Sequence, residues 1–320
     1  MKTFHFDFIK SRNYWLIGYL AIILVGAIIF AIFGANLSID FKGGTMFTYS
    51  FTGEVKLSDA EACIKDAIKT DVNVTESTGY NTEAKKLVVT LTSDSSLSAE
   101  LQNKMLTALT EKFKDNNIAI SDSNSVSPTV AGTFFLKCLV AVVLASILVI
   151  IYIGFRFRKI GGVSAGVFAL VALVLDCLVA FVSCVFFRLE IDSNFMSVIL
   201  TILGYSLNDT IVIYDRLREN TKMYPDMDFK DRVNTSINQS LGRTIKTSIA
   251  TFAAIITVVI VAEIYGLTTL RSFAIPMAVG IVSGCVSSVC LSSPLWYAWQ
   301  KKSMERKSKK AKAPKKAKNA

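Results

Sequence analysis

Tyr14-Trp-Leu-Ile-Gly-Tyr-Leu-Ala-Ile-Ile-Leu-Val-Gly-Ala-Ile-Ile-Phe-Ala-Ile-Phe33 contains no charged residue. A helix of about twenty apolar residues, rising about 1.5 Å each, crosses a hydrocarbon core of about 30 Å. Lys2, Lys10 and Arg12 precede it. A secretory signal peptide has a shorter apolar core and a small-residue cleavage site, so this run reads as an uncleaved first helix. Five more runs reach the same length: Phe134–Ile153, Gly161–Phe187, Phe195–Tyr214, Thr244–Ile264 and Phe273–Trp296. The 320 residues are 52% hydrophobic and only 19% charged, with a mean hydropathy of +0.46. That balance excludes an ordinary soluble domain.

The expected fold is a polytopic α-helical membrane protein. It has six transmembrane helices and an α+β, ferredoxin-like extracytoplasmic domain between the first and second. The boundaries are 1–35 for the leader and first helix, 36–133 for the outer domain, 134–299 for helices two to six, and 300–320 for a basic cytoplasmic tail. In the outer segment Thr45–Phe51 is β-rich, and Val72–Thr78 and Lys86–Thr92 read as strands. Ser58-Asp-Ala-Glu61 reads as a capping box opening a helix to about Lys69. Ala99–Phe113 has Leu101, Met105, Leu109 and Phe113 at helical spacing, and Ile118–Val126 closes the sheet. The order β-α-β-β-α-β is that of the split βαβ fold.

The net charge of +10 resembles a nucleic-acid signal until it is mapped. Ten basic residues, from Lys301 to Lys318, lie in the last twenty positions, whereas Asn36–Thr133 is net acidic. Arg156, Arg158 and Lys159 join helices two and three, and Arg216, Arg218, Lys222, Lys230 and Arg232 lie between helices four and five. The opposite short loops hold only Arg188 and Arg271. The positive-inside rule then places both termini in the cytoplasm. Trp296, Tyr297 and Trp299 form an aromatic belt at that face. Phe229, Val233, Ile237 and Leu241 give the loop Pro225–Leu241 an amphipathic helix. The charge is topological, so no nucleic acid is expected. The tail suits anionic lipid or a ribosome, or is a solvated tail of topological role.

No P-loop, dinucleotide fingerprint, CxxC pair or metal-ligand cluster is present, so neither cofactor nor enzymatic chemistry is expected. His5, the single histidine, reads as a solvated residue of the leader. What remains is intramembrane charge. Asp209 lies seven residues before Arg216, about 10 Å inside the boundary. An ionised aspartate at the centre of a span costs about 2.5–3.5 kcal/mol, so it must be neutral, paired or hydrated. Thr201, Tyr205, Asn208 and Asp209 share a helical face that should turn inward. Asp176 sits mid-way along the third run with little polar company nearby in sequence, and is either a second ion site or a structural partner. Arg243 and Lys246 are rival partners for Asp209. Gly280, Gly284, Ser287, Ser288 and Ser292 form a small-residue ladder for close helix contact.

Several stretches resemble the SecF family of protein-export subunits. They are Ile39-Asp-Phe-Lys-Gly-Gly-Thr45, Val126-Ser-Pro-Thr-Val130, Leu203-Gly-Tyr-Ser-Leu-Asn-Asp-Thr-Ile-Val-Ile-Tyr-Asp-Arg-Leu-Arg-Glu-Asn220, Ser236-Ile-Asn-Gln-Ser-Leu-Gly-Arg-Thr-Ile245 and Ser292-Ser-Pro294. The resemblance implies a bundle similar to the resistance-nodulation-division transporters, in which SecD supplies six further helices and the main partner carboxylate. It implies action with the SecYEG channel on a translocating polypeptide, driven by a proton or sodium gradient, with the Asp209 and Arg243 positions in the ion path. Asp176 and Asn208 are further ion-path candidates from their own place in the spans. Leu175 stands where the family often has histidine before aspartate. The competing readings are a homo-oligomeric exporter of small molecules or lipids and a non-transporting scaffold.

Overall fold

The computed structural model describes residues 6–70, 72–77, 84–91 and 99–312. His5 and the end of the tail lie outside the described residues. Helix α1 (Phe8–Phe33) leads through a short turn of helix, α2 (Ile39–Lys42), into the sheet domain. That domain runs β1 (Gly44–Thr52), α3 (Leu57–Ile68), β2 (Val72–Ser77), β3 (Ala84–Leu91), α4 (Ala99–Lys112) and β4 (Ala119–Val126). Then follow α5 (Pro128–Arg156), α6 (Gly162–Phe186), α7 (Ser193–Met223), α8 (Phe229–Tyr265), α9 (Thr268–Ser287) and α10 (Ser293–Lys312). Among the described residues six helices are long and apolar enough to cross a membrane: α1, α5, α6, α7, α8 and the α9–α10 rod.

The four strands form one sheet in the order β2-β3-β1-β4, with every neighbouring pair antiparallel. Its core alternates as a half-buried strand must, with Phe47, Tyr49 and Phe51 of β1 and Leu87, Val89 and Leu91 of β3 facing inward. Ala60 and Ile64 of α3 and Met105 and Leu109 of α4 complete it.

Two local expectations need correction. The capping box at Ser58 is not made: α3 begins one residue earlier at Leu57, its N-cap is Lys56, and no side chain caps it. Ser58 therefore sits inside the first turn, where its hydroxyl is past the orphan amides a cap would serve. The amphipathic segment after Pro225 does lead into the fifth span, because α8 runs unbroken for 37 residues from Phe229 to Tyr265, with the Asp228 carboxylate capping Lys230 N at 3.0 Å. The basic tail starts as helix: α10 carries Lys301, Lys302, Arg306, Lys307 and Lys309 on a continuous rod ending at Lys312.

The two ends of the sheet domain meet at one point. Gly43 and Gly44 have φ of 74° and 132°, which L-residues adopt only with strain. A Cβ on Gly43 would lie 2.7 Å from the Pro128 Cα, and one on Gly44 would collide with the Leu91 carbonyl. The entry motif around the glycine pair thus packs against the exit motif, where Ser127 caps α5 and Pro128 occupies its first turn. Phe41 of α2 adds ring contacts to Phe134 and Phe135 at 5.8 and 5.9 Å. We expect Gly44→Val to loosen the sheet domain without unseating the helices. Limited proteolysis should show cleavage within 36–133 while the detergent-solubilised bundle keeps its helical circular dichroism.

Candidate functional site

Asp176 of α6 is fully buried, and its polar company comes from other helices rather than from its own. Ser283 Oγ donates to its Oδ1 at 2.6 Å, and Ser287 Oγ and Ser206 Oγ donate to its Oδ2 at 2.7 and 3.0 Å. One carboxylate therefore fastens α6 to α7 and α9. Hydrogen bonds to a charged group are the stronger kind, and in a lipid surround they act as polar glue between helices. Tyr19 of α1 extends the network by donating to the Ser283 carbonyl at 2.8 Å.

The small-residue ladder makes this possible. A Cβ on Gly280 would collide with Ile202, and one on Gly284 would lie 2.9 Å from the Ser206 Cβ. Glycine at both positions lets α9 approach α7 closely enough for its serines to reach Asp176. Beyond Ser287 the helix widens into one π turn, Ser288–Ser292. Such a turn re-aims the side chains that follow. Here Ser288 Oγ donates to the Ser206 carbonyl at 3.1 Å and receives Thr210 Oγ1 at 3.0 Å. Sequence reading took these serines only as packing residues. The signal it missed was a hydroxyl ladder, Ser283, Ser287, Ser288 and Ser292, in a chain whose third span carries an aspartate needing donors.

Asp209 of α7 is also buried, at 2% exposure, but its company is sparse. Ser248 Oγ of α8 donates to Oδ2 at 3.4 Å, and Tyr205 OH donates in turn to Ser248 Oγ at 3.1 Å. Arg243 and Lys246 are exposed, and among the described residues neither forms an ion pair with Asp209. The expected inward stripe does not turn inward as a unit. Asp209 is buried and Tyr205 half-buried, but Thr201 and Asn208 are exposed. Helix geometry explains the split, because Asn208 stands about 100° around the axis from Asp209.

The hairpin between α7 and α8 is closed by motif residues. Asn220, fully buried, donates to Ser236 Oγ and Gln239 Oε1, both at 2.8 Å. Asn234 Oδ1 receives the backbone amide of Phe8 at 3.0 Å, which ties the start of α1 to α8.

Comparison with known proteins matches this architecture. Residues 104–302 match the family described as protein export membrane protein SecD/SecF, C-terminal, and residues 28–55 match the SecD/SecF GG motif. The protein translocase subunit SecF of Anaerolinea thermophila is 33% identical over 288 residues, covering 88% of this chain and 90% of that one. The chain belongs to the SecF family. The SecDF of Bacillus subtilis is 32% identical over 309 residues, covering 94% of this chain but 39% of the longer one. The crystal structure of SecDF from Thermus thermophilus superposes with a TM-score of 0.79 at 28% identity. It covers 93% of this chain, which spans 39% of that one.

The Asp176 network yields a direct expectation. Ser283→Ala with Ser287→Ala removes two of three donors from a buried carboxylate, and each lost intramembrane bond is worth about 0.6–1.7 kcal/mol. The double variant should unfold at lower temperature in detergent. Gly284→Val should do the same by pushing Ser206 away, whereas Ser197→Ala, remote from Asp176, should leave the melting temperature unchanged.

Proposed function

We propose that the chain is the SecF half of a two-half export motor that uses an ion gradient to promote movement of secreted polypeptides through SecYEG, with Asp209 as its ion-binding carboxylate. The observation that carries this reading is the contrast between the two buried aspartates. Asp176 has three donors within 3.0 Å and serves as a fastening. Asp209 has Ser248 Oγ at 3.4 Å with the Thr247 hydroxyl of the same helix beside it, and is left with unused acceptor capacity in an apolar span. A buried carboxylate so placed favours either a proton or a cation.

The missing surroundings of Asp209 point to a partner. Thr201 and Asn208 of α7 and Arg243 and Lys246 of α8 lie exposed on the chain's own surface. Polar and charged groups within a span face protein or water rather than lipid. A SecD partner covering this face would meet that requirement. The SecDF relatives, in which a SecF-like region of 39% of the chain is joined to further sequence, support the pairing. In the assembled state Arg243 or Lys246 would be near enough to read the charge on Asp209.

The sheet domain is, in this reading, a ferredoxin-like unit outside the cytoplasm that moves against the bundle. Strand order β2-β3-β1-β4 with antiparallel neighbours supports it. The basic segments gather at one end of the bundle: Lys230 pairs with Asp7 at 2.9 Å, and Phe229 packs on Tyr297 with ring centroids 5.1 Å apart. The positive-inside rule puts that end, and both termini, in the cytoplasm of a bacterial cell. A second SecDF structure, in a super-membrane-facing form, superposes with a TM-score of 0.61 at 27% identity. The lower score at similar identity is what a domain taking more than one pose would give.

One charge crossing 100 mV supplies about 2.3 kcal/mol. That biases a two-state domain by tens of fold, since about 1.4 kcal/mol is tenfold. Asp209→Asn should remove the gradient-stimulated part of export of a secreted reporter in cells while co-purification with SecD persists. Asp209→Glu should retain part of it. Export by Asp209→Asn at the unmodified level would reject the coupling.

A further inference from the structure

The inner end of the bundle holds a basic pocket that ion coupling does not use. It is a cavity of about 510 Å³ bounded by the start of α1, the start of α8 and the cytoplasmic reach of α10. Lys10 and Arg12, Lys230, and Lys301 and Lys302 line it, with Glu305 as the acid among the lining residues. Lys230 is already engaged: its ammonium pairs with Asp7 and holds that carboxyl below the ordinary range. Arg12 Nε donates to the neighbouring Asn13 at 3.3 Å, and among the described residues no ion pair reaches Lys10, Arg12, Lys301 or Lys302. Four cations without an ion pair thus share one cavity with a single acid, and the excess positive charge costs Coulomb energy unless an anion occupies it.

The convergence is built by packing. The α1 start is tied to α8 through the Phe8 amide and Asn234. Phe229 of α8 stacks on Tyr297 of α10 and meets Trp296 at 5.8 Å. Because α10 continues the membrane helix, Lys301 and Lys302 line the same cavity as Arg12. The level is informative too. Arg12 lies two residues before the apolar run of α1 begins, and Lys301 two residues after Trp299. Both therefore sit where lipid phosphates lie, beside the aromatic belt.

We propose that this pocket binds the phosphate of an anionic phospholipid. The tail residues farther along α10 are not needed for it. The inference goes beyond export coupling and is independent of it, since none of its residues touches Asp209 or Asp176.

The test uses the full chain in a neutral detergent, titrated with phosphatidylglycerol or with phosphatidylcholine of the same acyl chains. Bound lipid is counted by native mass spectrometry and stability followed by thermal unfolding. Phosphatidylglycerol should be retained and raise the melting temperature, and phosphatidylcholine should do neither. Arg12→Gln with Lys301→Gln and Lys302→Gln should weaken phosphatidylglycerol binding on the order of a hundredfold. Arg306→Gln with Lys307→Gln and Lys309→Gln, equal in charge removed, should leave it unchanged. Lys301→Arg with Lys302→Arg should keep binding, which separates loss of charge from loss of fold. Equal loss in both glutamine triples would overturn the proposal in favour of a diffuse basic helix. Stabilisation by inorganic phosphate equal to that by phosphatidylglycerol would overturn the lipid assignment in favour of a free anion site. Displacement of the lipid by a short RNA at equal charge would overturn it in favour of nucleic acid.

Discussion

A carboxylate without access to water has to be given hydrogen-bond donors by its own protein, and in this bundle that requirement falls on Asp176. Its three donors come from two other helices, Ser206 of α7 and Ser283 and Ser287 of α9. Meeting them sets the separation and the axial rotation of three helices at once. The separation is short, which is why Gly280 and Gly284 face Ile202 and Ser206. The rotation of α7 has the wider consequence. With Ser206 aimed at Asp176, Asp209 lies about 60° around the helix, toward α8 and Ser248. Thr201 and Asn208 lie about 140° and 160° away and emerge on the opposite side. The stripe that looks continuous in the sequence straddles the rim between the interior and the face offered to a partner.

In the proposed reading the two aspartates divide labour by how fully each is supplied with donors. A carboxylate with a full set of short hydrogen bonds is held in place and resists change. One with few and long bonds at the edge of a bundle can exchange partners as its surroundings move. In the proposed assembly the missing partners belong to a second half, which also covers the exposed polar groups of α7 and α8. The arrangement keeps the rigid contact inside one chain and the adaptable one beside the interface between chains.

The proposed coupling would also need a stiff connection to the sheet domain. The glycine pair at its entry rests on the proline at its exit, so α2 packs against the start of α5. Ser38 N donates to the Ile191 carbonyl at 3.0 Å, and Asp40 accepts from Ser193 N at 3.1 Å. These bonds attach the neck of the domain to the loop between α6 and α7, the helix that carries Asp209. A shift of α7 along its axis therefore has a short mechanical path to the sheet.

From the sequence alone came the six membrane helices, because apolar length against bilayer thickness is a one-dimensional property. The alternation of strands and the spacing of Met105 and Leu109 were legible for the same reason, since period and position lie along the chain. The resemblance motifs named the family, and the charge of the loops set an expected orientation. The donors of Asp176 were not legible. They stand 30, 107 and 111 residues away in the chain, and only helix packing brings them within hydrogen-bond distance. Nor was the different standing of Asp209 and Asp176, since polar neighbours along the chain suggested company for Asp209 and little for Asp176, the reverse of what packing supplies. The basic pocket joins Arg12 to Lys301 across almost the whole chain, while the same lysines read in sequence belong to a tail. Local pattern determines which segments enter the membrane, but which polar groups meet there depends on the rotation of each helix, and that is decided by contacts between segments distant in sequence.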